Sequence, residues 1–186
     1  MRGAGNLLGR EQHGHINGIG FDLYCQMMER AVSERRGEAP PAELRATINL
    51  GLDIRIPPAY IASESLRLRT YKRVAGVTSP EERQEVLREL EDRFGPAPAA
   101  VGNLLDYAVL KALCEKLLVA SVERRGEQVA VKFYEQTPVR PEQVVRLLRR
   151  RNGLRFDPAG VLWVTWRRED GSAVKAVQEV LLQLQP

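Results

Sequence analysis

Three groups of residues in this chain of 186 have types and spacing suited to chemistry or recognition. The first is a glycine-rich opening segment, residues 2–24, whose glycine content is typical of sharp turns and close backbone approach. The second is an acidic stripe on one predicted helix, which includes Glu89 and Asp92. The third is a cationic run made of Arg140, Arg146, Arg149, Arg150, Arg151 and Arg155.

Motifs for catalysis are missing from these groups. The glycine-rich segment neither follows a predicted strand nor supplies the lysine of a G-x-x-x-x-G-K-S/T loop, so it lacks a cradle for nucleotide phosphates. His13 and His15 flank a glycine, but Cys25 alone does not complete a metal shell with them. No serine or cysteine stands in a nucleophile motif. The sequence therefore predicts no enzyme contained wholly in this chain, and no metal or cofactor bound by it.

The acidic stripe lies on a helix predicted for residues 80–94. Ser79-Pro80 begins this helix with a capping serine and a first-turn proline, and Gly95-Pro96 ends it. Its apolar side chains converge on one side. The acidic residues converge on the opposite side: Glu81, Glu82, Glu85, Glu89 and Asp92. Such a stripe is either a solvated face that aids solubility or a surface for a basic partner, and the residues alone leave both interpretations open.

The cationic run favours a different kind of partner. Arginine pairs with phosphates and carboxylates, so a stand-alone nucleic-acid-binding module is the main alternative function. Aromatic residues do not interleave with these arginines in the sequence, as single-strand binding would prefer. The other interpretation is a set of surface arginines beside a helix core face of Val144, Val145, Leu147 and Leu148. Trp163 and Trp166 are expected on opposite faces of a strand, one in the core and the other at an edge or interface.

Composition bounds the class of protein. Apolar residues make up 44% of the chain, enough for a core. The net charge of +4 and the pI near 9.3 permit nucleic-acid contact without requiring it. No apolar run approaches the roughly 20 residues of a membrane span, and no cleavable signal pattern opens the chain. Cys25 and Cys114 are interpreted as ordinary thiols in a reducing compartment. We expect a cytoplasmic protein.

The remaining pattern predicts an α+β fold, with helices packed on small, mostly antiparallel sheets. Residues 1–41 are predicted to be an appendage that ends in a proline-stiffened linker, and residues 42–186 to be the domain. Alternation predicts strands at 46–57, 119–124, 128–134, 154–156 and 161–166. Helical spacing predicts helices at 21–35, 63–74, 80–94, 97–118, 141–151 and from 172 onward. The last helix is expected to face inward with Val174, Val177, Val180, Leu181 and Leu184.

Several segments resemble the bacterial transcription-repair coupling factor family. The opening run R-G-A-G-N-L-L-G-x-E-Q-x-G and the following I-G-F-D-L-Y resemble the end of that family's motor. The likeness continues in L-R-L-R-T-Y-K-R (66–73), R-E-L-E-D-R-F-G-P-A-P (88–98) and N-L-L-D-Y-A-V-L-K (103–111), and it weakens after about residue 120. These segments follow the family's order over a large part of the chain.

The resemblance implies a parent protein that is an ATP-driven translocase on double-stranded DNA, displaces stalled RNA polymerase and recruits nucleotide-excision repair through the protein UvrA. The parent motor, not this fragment, would bind ATP and magnesium. Residues 1–41 would be the tail of the motor, with Arg2 and Gln12 as its translocation-relay pair; a solvated leader in the isolated chain remains the alternative. Residues 42–186 would be an autoinhibitory domain whose Glu89 and Asp92 face arginines of the UvrA-recruiting N-terminal domain.

Overall fold

The computed structural model describes residues 46–167 and 171–185, and within these ranges five strands and five helices follow one another. The strands are β1 (Thr47–Asn49), β2 (Val119–Arg125), β3 (Gln128–Phe133), β4 (Leu154–Asp157) and β5 (Val161–Thr165). The helices are α1 (Glu64–Ala75), α2 (Pro80–Phe94), α3 (Ala99–Lys116), α4 (Pro141–Arg150) and α5 (Ala173–Leu182). Apart from the strand predicted for residues 46–57, the predicted elements between residues 46 and 185 are present, with boundaries that differ by no more than two residues.

All five strands belong to one mixed sheet with the order β1-β2-β3-β5-β4. Strand β1 runs parallel to β2, and every other neighbouring pair is antiparallel. The two predicted hairpins, β2–β3 and β4–β5, are joined because β3 pairs with β5, with Gln128 opposite Thr165. The predicted α+β class is confirmed, and the strands form a single sheet instead of separate small ones.

One face of this sheet packs against the helices and forms one side of the hydrophobic core. Alternate residues of the three central strands point to that face and are almost fully buried: Val122, Val129, Val131, Leu162 and Val164. Helix α3 packs against β2 and also contacts α1, α2 and α5, which makes it the central packing element, as its mostly apolar sequence predicts. The inward-facing residues predicted for α5 are all buried, from Val174 to Leu184.

The strand predicted for residues 46–57 is mostly wrong as a hydrogen-bonded element. Only Thr47–Asn49 pair with β2, although Leu50, Ile54 and Ile56 are buried and the alternation of burial continues. Gly51 interrupts the extended run, because its φ of +65° bends the chain away from the ladder. The buried side chains beyond it are held by the core, and the backbone N–H of Ile56 donates to the hydroxyl of Tyr71 (2.8 Å).

Serine caps begin three of the helices as local sequence chemistry requires. The hydroxyls of Ser63, Ser79 and Ser172 each accept a hydrogen bond from a backbone N–H three residues later. Helix α3 begins two residues later than predicted, after Pro98, and ends two residues earlier, at Lys116. The predicted boundary between residues 41 and 42 lies outside the described residues.

Two further sequence expectations concern membrane-spanning segments and the cysteine thiols. Within residues 46–167 and 171–185, no helix combines the length and apolarity that crossing a bilayer demands. Cys114 is a free thiol with no exposed surface, and burial raises its pKa above the usual range, so the thiolate is suppressed. Cys114 is therefore a core residue, as its position in an apolar helix predicts.

Candidate interaction surface on helix α2

The N-terminus of helix α2 is fixed by two reciprocal contacts. The hydroxyl of Ser79 accepts from the N–H of Glu82 (3.2 Å), and Pro80 occupies the first turn. The Glu82 carboxylate accepts from the N–H (2.7 Å) and hydroxyl (2.9 Å) of Thr78. These hydrogen bonds, the one from the Thr78 N–H first, hold the pKa of Glu82 below its ordinary value. The Glu82 carboxylate therefore stabilises the N-terminus of the helix. It is not part of the exposed acidic stripe to which the sequence analysis assigned it.

The C-terminus of α2 is closed by an aromatic contact and a glycine. Gly95 has φ +82° and ψ −172°, a conformation that is essentially restricted to glycine, and its N–H donates to the carbonyl of Glu91 (2.9 Å). The ring of Tyr60 meets Phe94 edge to face at 5.9 Å, and the Tyr60 hydroxyl donates to the carbonyl of Gly95 (3.0 Å). Burial, and secondly the charge of Glu91, raise the pKa of Tyr60. The last turn is consequently anchored on the core.

A buried ion pair sets the rotation of α2 on α3. The Nε of Arg83 lies 2.8 Å from Oδ1 of Asp106, and the two side chains are only 18% and 10% exposed. Gln178 of α5 donates its side-chain amide to the carbonyl of Asp106. Val86 and Leu90 fill the interface beside this pair. Three helices are therefore connected at one point, and the outward face of α2 is held in a defined orientation.

Glu89, on that outward face, is already paired within the domain. Its Oε2 lies 3.4 Å from Nε of Arg73 on α1, and its Oε1 lies 3.7 Å from Nη1 of Arg93, one turn along α2. The Glu89 side chain is still 44% exposed. Exposed pairs of this kind contribute at most about 1 kcal/mol each, because solvent screens them and two long side chains must be ordered.

Asp92 lies one turn from Glu89 and is exposed. It forms no ion pair with any residue that the structure describes. Glu81 and Glu85 continue the exposed acidic row toward the start of the helix. The α2 surface therefore consists of Glu81, Glu85, Glu89 and Asp92. On this surface the Asp92 carboxylate, which has no ion pair among the described residues, lies beside the weakly paired Glu89 carboxylate. Guanidinium groups of a partner could pair with both.

Helix α1 gives this surface a cationic border. Arg73 reaches Glu89, and Arg69 and Lys72 are exposed on the same helix. Leu68 is 47% exposed among them. The α2 surface and its border therefore carry both negative and positive side chains. The sequence of α2 alone did not predict the positive ones.

The predicted cationic run is divided by the fold. Arg140, Arg146, Arg149 and Arg150 are exposed along α4, whereas Arg151 pairs with Glu179 of α5 (3.1 Å) and Arg155 stacks on Trp163 with its guanidinium carbon 5.1 Å from the ring centroid. The predicted core face of α4 is partly wrong, since Val145 is 47% exposed while Val144 and Leu147 are buried. At 100° per residue, Val145 falls beside Arg149 on the solvent side.

Sequence reasoning also missed an aromatic among the arginines. Arg155 and Arg125 both lie over the ring of Trp163, at 5.1 and 5.7 Å from its centroid. Trp166 is 7% exposed and donates its indole N–H to the carbonyl of Gly171 (3.0 Å). Trp166 is therefore the core tryptophan that was expected. Trp163 is half-buried on β5, which is paired on both sides, so the expectation that it lies at an edge is wrong, and its place at an interface stays a prediction. The contact of Arg155 with Trp163 depends on the register between β4 and β5.

The pair Arg83–Asp106 was missed as well, although it had a sequence signal. Asp106 is the one carboxylate in the apolar stretch from Ala99 to Cys114. A lone acid in such a stretch is expected to need a buried cationic partner. The identity of that partner, 23 residues earlier on another helix, could not be predicted.

The predicted relay residues Arg2 and Gln12 lie outside the described residues. So do His13, His15 and Cys25, for which no metal site is predicted. In the ranges 46–167 and 171–185, no cluster of three or more histidine, cysteine or carboxylate side chains could hold a metal ion.

Fold and site together define the class: an α+β domain with an acidic surface on a helix that a largely buried ion pair holds against its neighbour. A sequence model of the TRCF domain family matches residues 50–144, which is half of the chain. The chain therefore belongs to the TRCF domain family. The matched segment contains α1, α2 and α3, and with them the whole α2 surface.

Individual relatives agree with this assignment. The chain is 39% identical over 135 residues to the transcription-repair-coupling factor of Staphylococcus haemolyticus and 38% identical over 137 residues to that of Bacillus subtilis. These alignments cover 72% and 73% of this chain but 12% of each relative, so the chain spans a small part of their length. Its fold is similar to a crystal structure of the C-terminal domain of transcription-repair coupling factor, with a TM-score of 0.62 at 23% identity, covering 76% of this chain and 94% of that one.

Proposed function

We propose that this chain is the C-terminal, non-catalytic part of a transcription-repair coupling factor, and that its α2 surface holds the parent protein in a repressed state. The family match, which contains α2, carries the proposal. The parent would be an ATP-driven translocase on double-stranded DNA that displaces stalled RNA polymerase and recruits UvrA. ATP and magnesium would bind to the nucleotide-binding part of the motor, which would lie in the portion of the parent protein that this chain does not span.

The repressing contact would be made by Glu89 and Asp92 with arginines of the N-terminal, UvrA-recruiting domain of the same protein. Support comes from the exposure of both carboxylates and from the rigid mounting of α2 through Arg83 and Asp106. A carboxylate pair on a fixed helix can specify the register of an opposing guanidinium pair, since charge-assisted bidentate contacts are geometrically demanding.

The existing partners of Glu89 give this contact a mechanism for release. Arg73 and Arg93 occupy Glu89 in the isolated domain at 3.4 and 3.7 Å. When the N-terminal domain docks, its arginines would replace them; when it leaves, Arg73 and Arg93 would return. Because one set of ion pairs replaces another, the net free energy of docking stays small, and the resting state can be opened by a competitor.

The test is charge reversal in the full-length protein. Glu89→Arg with Asp92→Arg is expected to raise basal ATP hydrolysis and UvrA binding, because like charges then face each other across the interface. The matched control is Glu127→Arg with Glu135→Arg, which makes the same change in net charge at exposed positions away from α2. Unchanged ATP hydrolysis and UvrA binding in the α2 variant, or an equal rise in both variants, would rule out this contact.

The glycine-rich opening segment requires a separate test. We propose that Arg2 and Gln12 transmit nucleotide hydrolysis into movement on DNA within the parent motor. In the full-length protein, Arg2→Ala or Gln12→Ala is then expected to abolish displacement of RNA polymerase while ATP hydrolysis persists. Polymerase displacement at the normal rate in both variants would show that this pair is not the relay.

A further inference from the structure

The face of the sheet turned away from the core is partly exposed: Lys132 and Arg155 are exposed, Glu123 and Trp163 are half-buried, and Ala130 is buried. On this outer face, four residues stand side by side across the sheet: Glu123, Ala130, Trp163 and Arg155, one each from β2, β3, β5 and β4. The strongest helix contacts to the sheet, of α3 with β2 and of α4 with β4, are made by helices whose apolar residues belong to the core cluster of the inner face. Ala130 is small and leaves the indole of Trp163 as the largest side chain of the row, so the outer face has an aromatic centre.

Trp163 is fixed in one orientation. Its indole N–H donates to Oδ2 of Asp157 (3.0 Å), while Oδ1 of the same carboxylate accepts from the backbone N–H groups of Ala159 (3.0 Å) and Val161 (3.2 Å). Asp157 thereby ties the indole to the β4–β5 turn. A held aromatic ring loses little conformational entropy when a flat ligand stacks on it.

Two guanidinium groups extend this aromatic centre. Those of Arg155 and Arg125 lie over the ring, 5.1 and 5.7 Å from its centroid. Stacked guanidiniums present flat faces for further stacking and keep N–H groups at their edges for anions. The outer face therefore combines a stacking surface with oriented hydrogen-bond donors.

The charge left unpaired on this face is positive. Glu123 is engaged by Arg125 (3.1 Å). Asp157 accepts hydrogen bonds from its own hairpin. These bonds, first that from Trp163, and also the nearby charge of Arg155 lower the pKa of this carboxyl. Lys132 and Arg155 are exposed, and neither forms a salt bridge with a residue that the structure describes. An anionic ligand would pair with Lys132 and would add a second negative partner to Arg155, which interacts through space with the charge of Asp157.

We propose that the outer sheet face, centred on Trp163, binds a short stretch of single-stranded nucleic acid, with phosphates at Arg155 and Lys132 and a base stacked on the indole–guanidinium layer. Single strands present unpaired bases to aromatic and arginine side chains, and the combination of a cationic surface with one stacking aromatic matches that ligand. An acidic peptide would satisfy the charges but would leave the aromatic layer unused. This surface shares no residue with the α2 surface and lies partly beyond residue 144, where the family match ends.

Fluorescence of the 186-residue chain tests the proposal directly. Trp166→Phe leaves Trp163 as the sole tryptophan, since the chain has two. Titration with a 12-nucleotide oligothymidylate is expected to quench this fluorescence saturably. With two phosphate contacts, affinity should fall about sevenfold between roughly 50 and 200 mM salt, because the salt slope for single strands is about −0.7 per contact. Saturable quenching by a polyglutamate peptide at equal or higher affinity, or no quenching by either ligand, would overturn the proposal.

Variants locate the site. Lys132→Ala with Arg155→Ala changes two exposed side chains and is expected to weaken oligonucleotide binding at least about tenfold and to flatten its salt dependence. Trp163→Ala, followed by anisotropy of a labelled oligonucleotide, is expected to weaken binding about tenfold through lost stacking. The control is Arg146→Ala with Arg149→Ala and Arg150→Ala on α4, which should bind as the parent chain does. Binding lost in the α4 variant and retained in the Lys132/Arg155 variant would place the nucleic acid on α4 and overturn the proposal, even if Trp163→Ala fails to fold.

Discussion

Arg83 and Asp106 form an ion pair at 2.8 Å that connects α2 to α3 in a largely buried position. The contact has two consequences for the proposed regulatory surface. It fixes the rotation of α2 about its axis, so that Glu89 and Asp92 face outward together. It also makes the orientation of α2 depend on α3, because Asp106 belongs to the helix that contacts three other helices.

Removing one member of this pair is expected to destabilise the domain strongly. Asp106→Ala should lower the free energy of unfolding by about 3 kcal/mol, because a guanidinium is left without its carboxylate in a poorly solvated position. Urea denaturation followed by circular dichroism measures the change. Arg83→Met combined with Asp106→Leu should recover most of the loss, since it removes both charges.

Arg69→Ala, an exposed arginine on α1, is the control and should change stability by less than about 0.5 kcal/mol. A loss of that small size for Asp106→Ala would show that the pair is not structural.

Two glycines near α2 are expected to respond to alanine in opposite directions. Gly95→Ala should cost roughly 1–3 kcal/mol, because φ +82° with ψ −172° is strained for any residue with a Cβ, although no atom lies within 4 Å of the added carbon. Gly102→Ala should stabilise the protein by up to about 1 kcal/mol, since Gly102 lies within α3 and its added Cβ would meet only Nη2 of Arg83, at 4.0 Å. Thermal unfolding of the two variants measures both effects. Equal shifts in the same direction would contradict the backbone argument.

The carboxylate of Asp157 predicts a pH-dependent contribution to stability. The hydrogen bond from the Trp163 indole, followed by those from Val161 and Ala159, lowers the pKa of Asp157 in the folded protein. Because the folded-state value lies below the unfolded one, the stabilisation is fully present above the ordinary aspartate pKa of about 4 and is lost as pH falls through the folded value. The difference in melting temperature between the parent protein and Asp157→Asn should therefore be positive at neutral pH and shrink below about pH 4. A difference that stays constant from pH 7 to 2.5 would contradict this assignment.

Arg73 is expected to compete with the docking domain for Glu89. Arg73→Gln removes the 3.4 Å pair and should tighten binding of the chain to the separately expressed N-terminal domain by up to about fivefold, the equivalent of 1 kcal/mol for an exposed pair. Calorimetric titration at low salt measures the affinity. Arg149→Gln on α4 carries the same charge change and should leave affinity nearly unaltered. Weaker binding of the Arg73 variant would mean that Arg73 itself contacts the partner.

Local chemistry allowed several parts of the fold to be predicted. Capping serines, proline in the first helical turn and the terminal glycine set the limits of α2 at Pro80 and Phe94 as expected. The same local signals failed beyond β1, because Gly51 ended the ladder while burial kept the alternation that predicts a strand. Periodicity records which side chains are buried, and it does not record whether the backbone between them is hydrogen-bonded.

The candidate site was predicted as a set of residues and not as an arrangement. Helical geometry placed Glu89 and Asp92 next to each other on the outside of α2, since that depends only on a spacing of three residues. It could not show that Glu82 would be occupied by Thr78 or that Arg73, from another helix, would reach Glu89.

The sequence by itself determined the α+β class, the family resemblance and the faces of individual helices, because these follow from periodicity and short motifs. Only the tertiary structure decided which elements meet. Strand pairing brought Arg155 and Arg125 to the ring of Trp163, and helix packing brought Arg83 to Asp106. Contacts of this kind depend on the register between distant segments, and register is selected by the packing of the whole core instead of by any local stretch of chain.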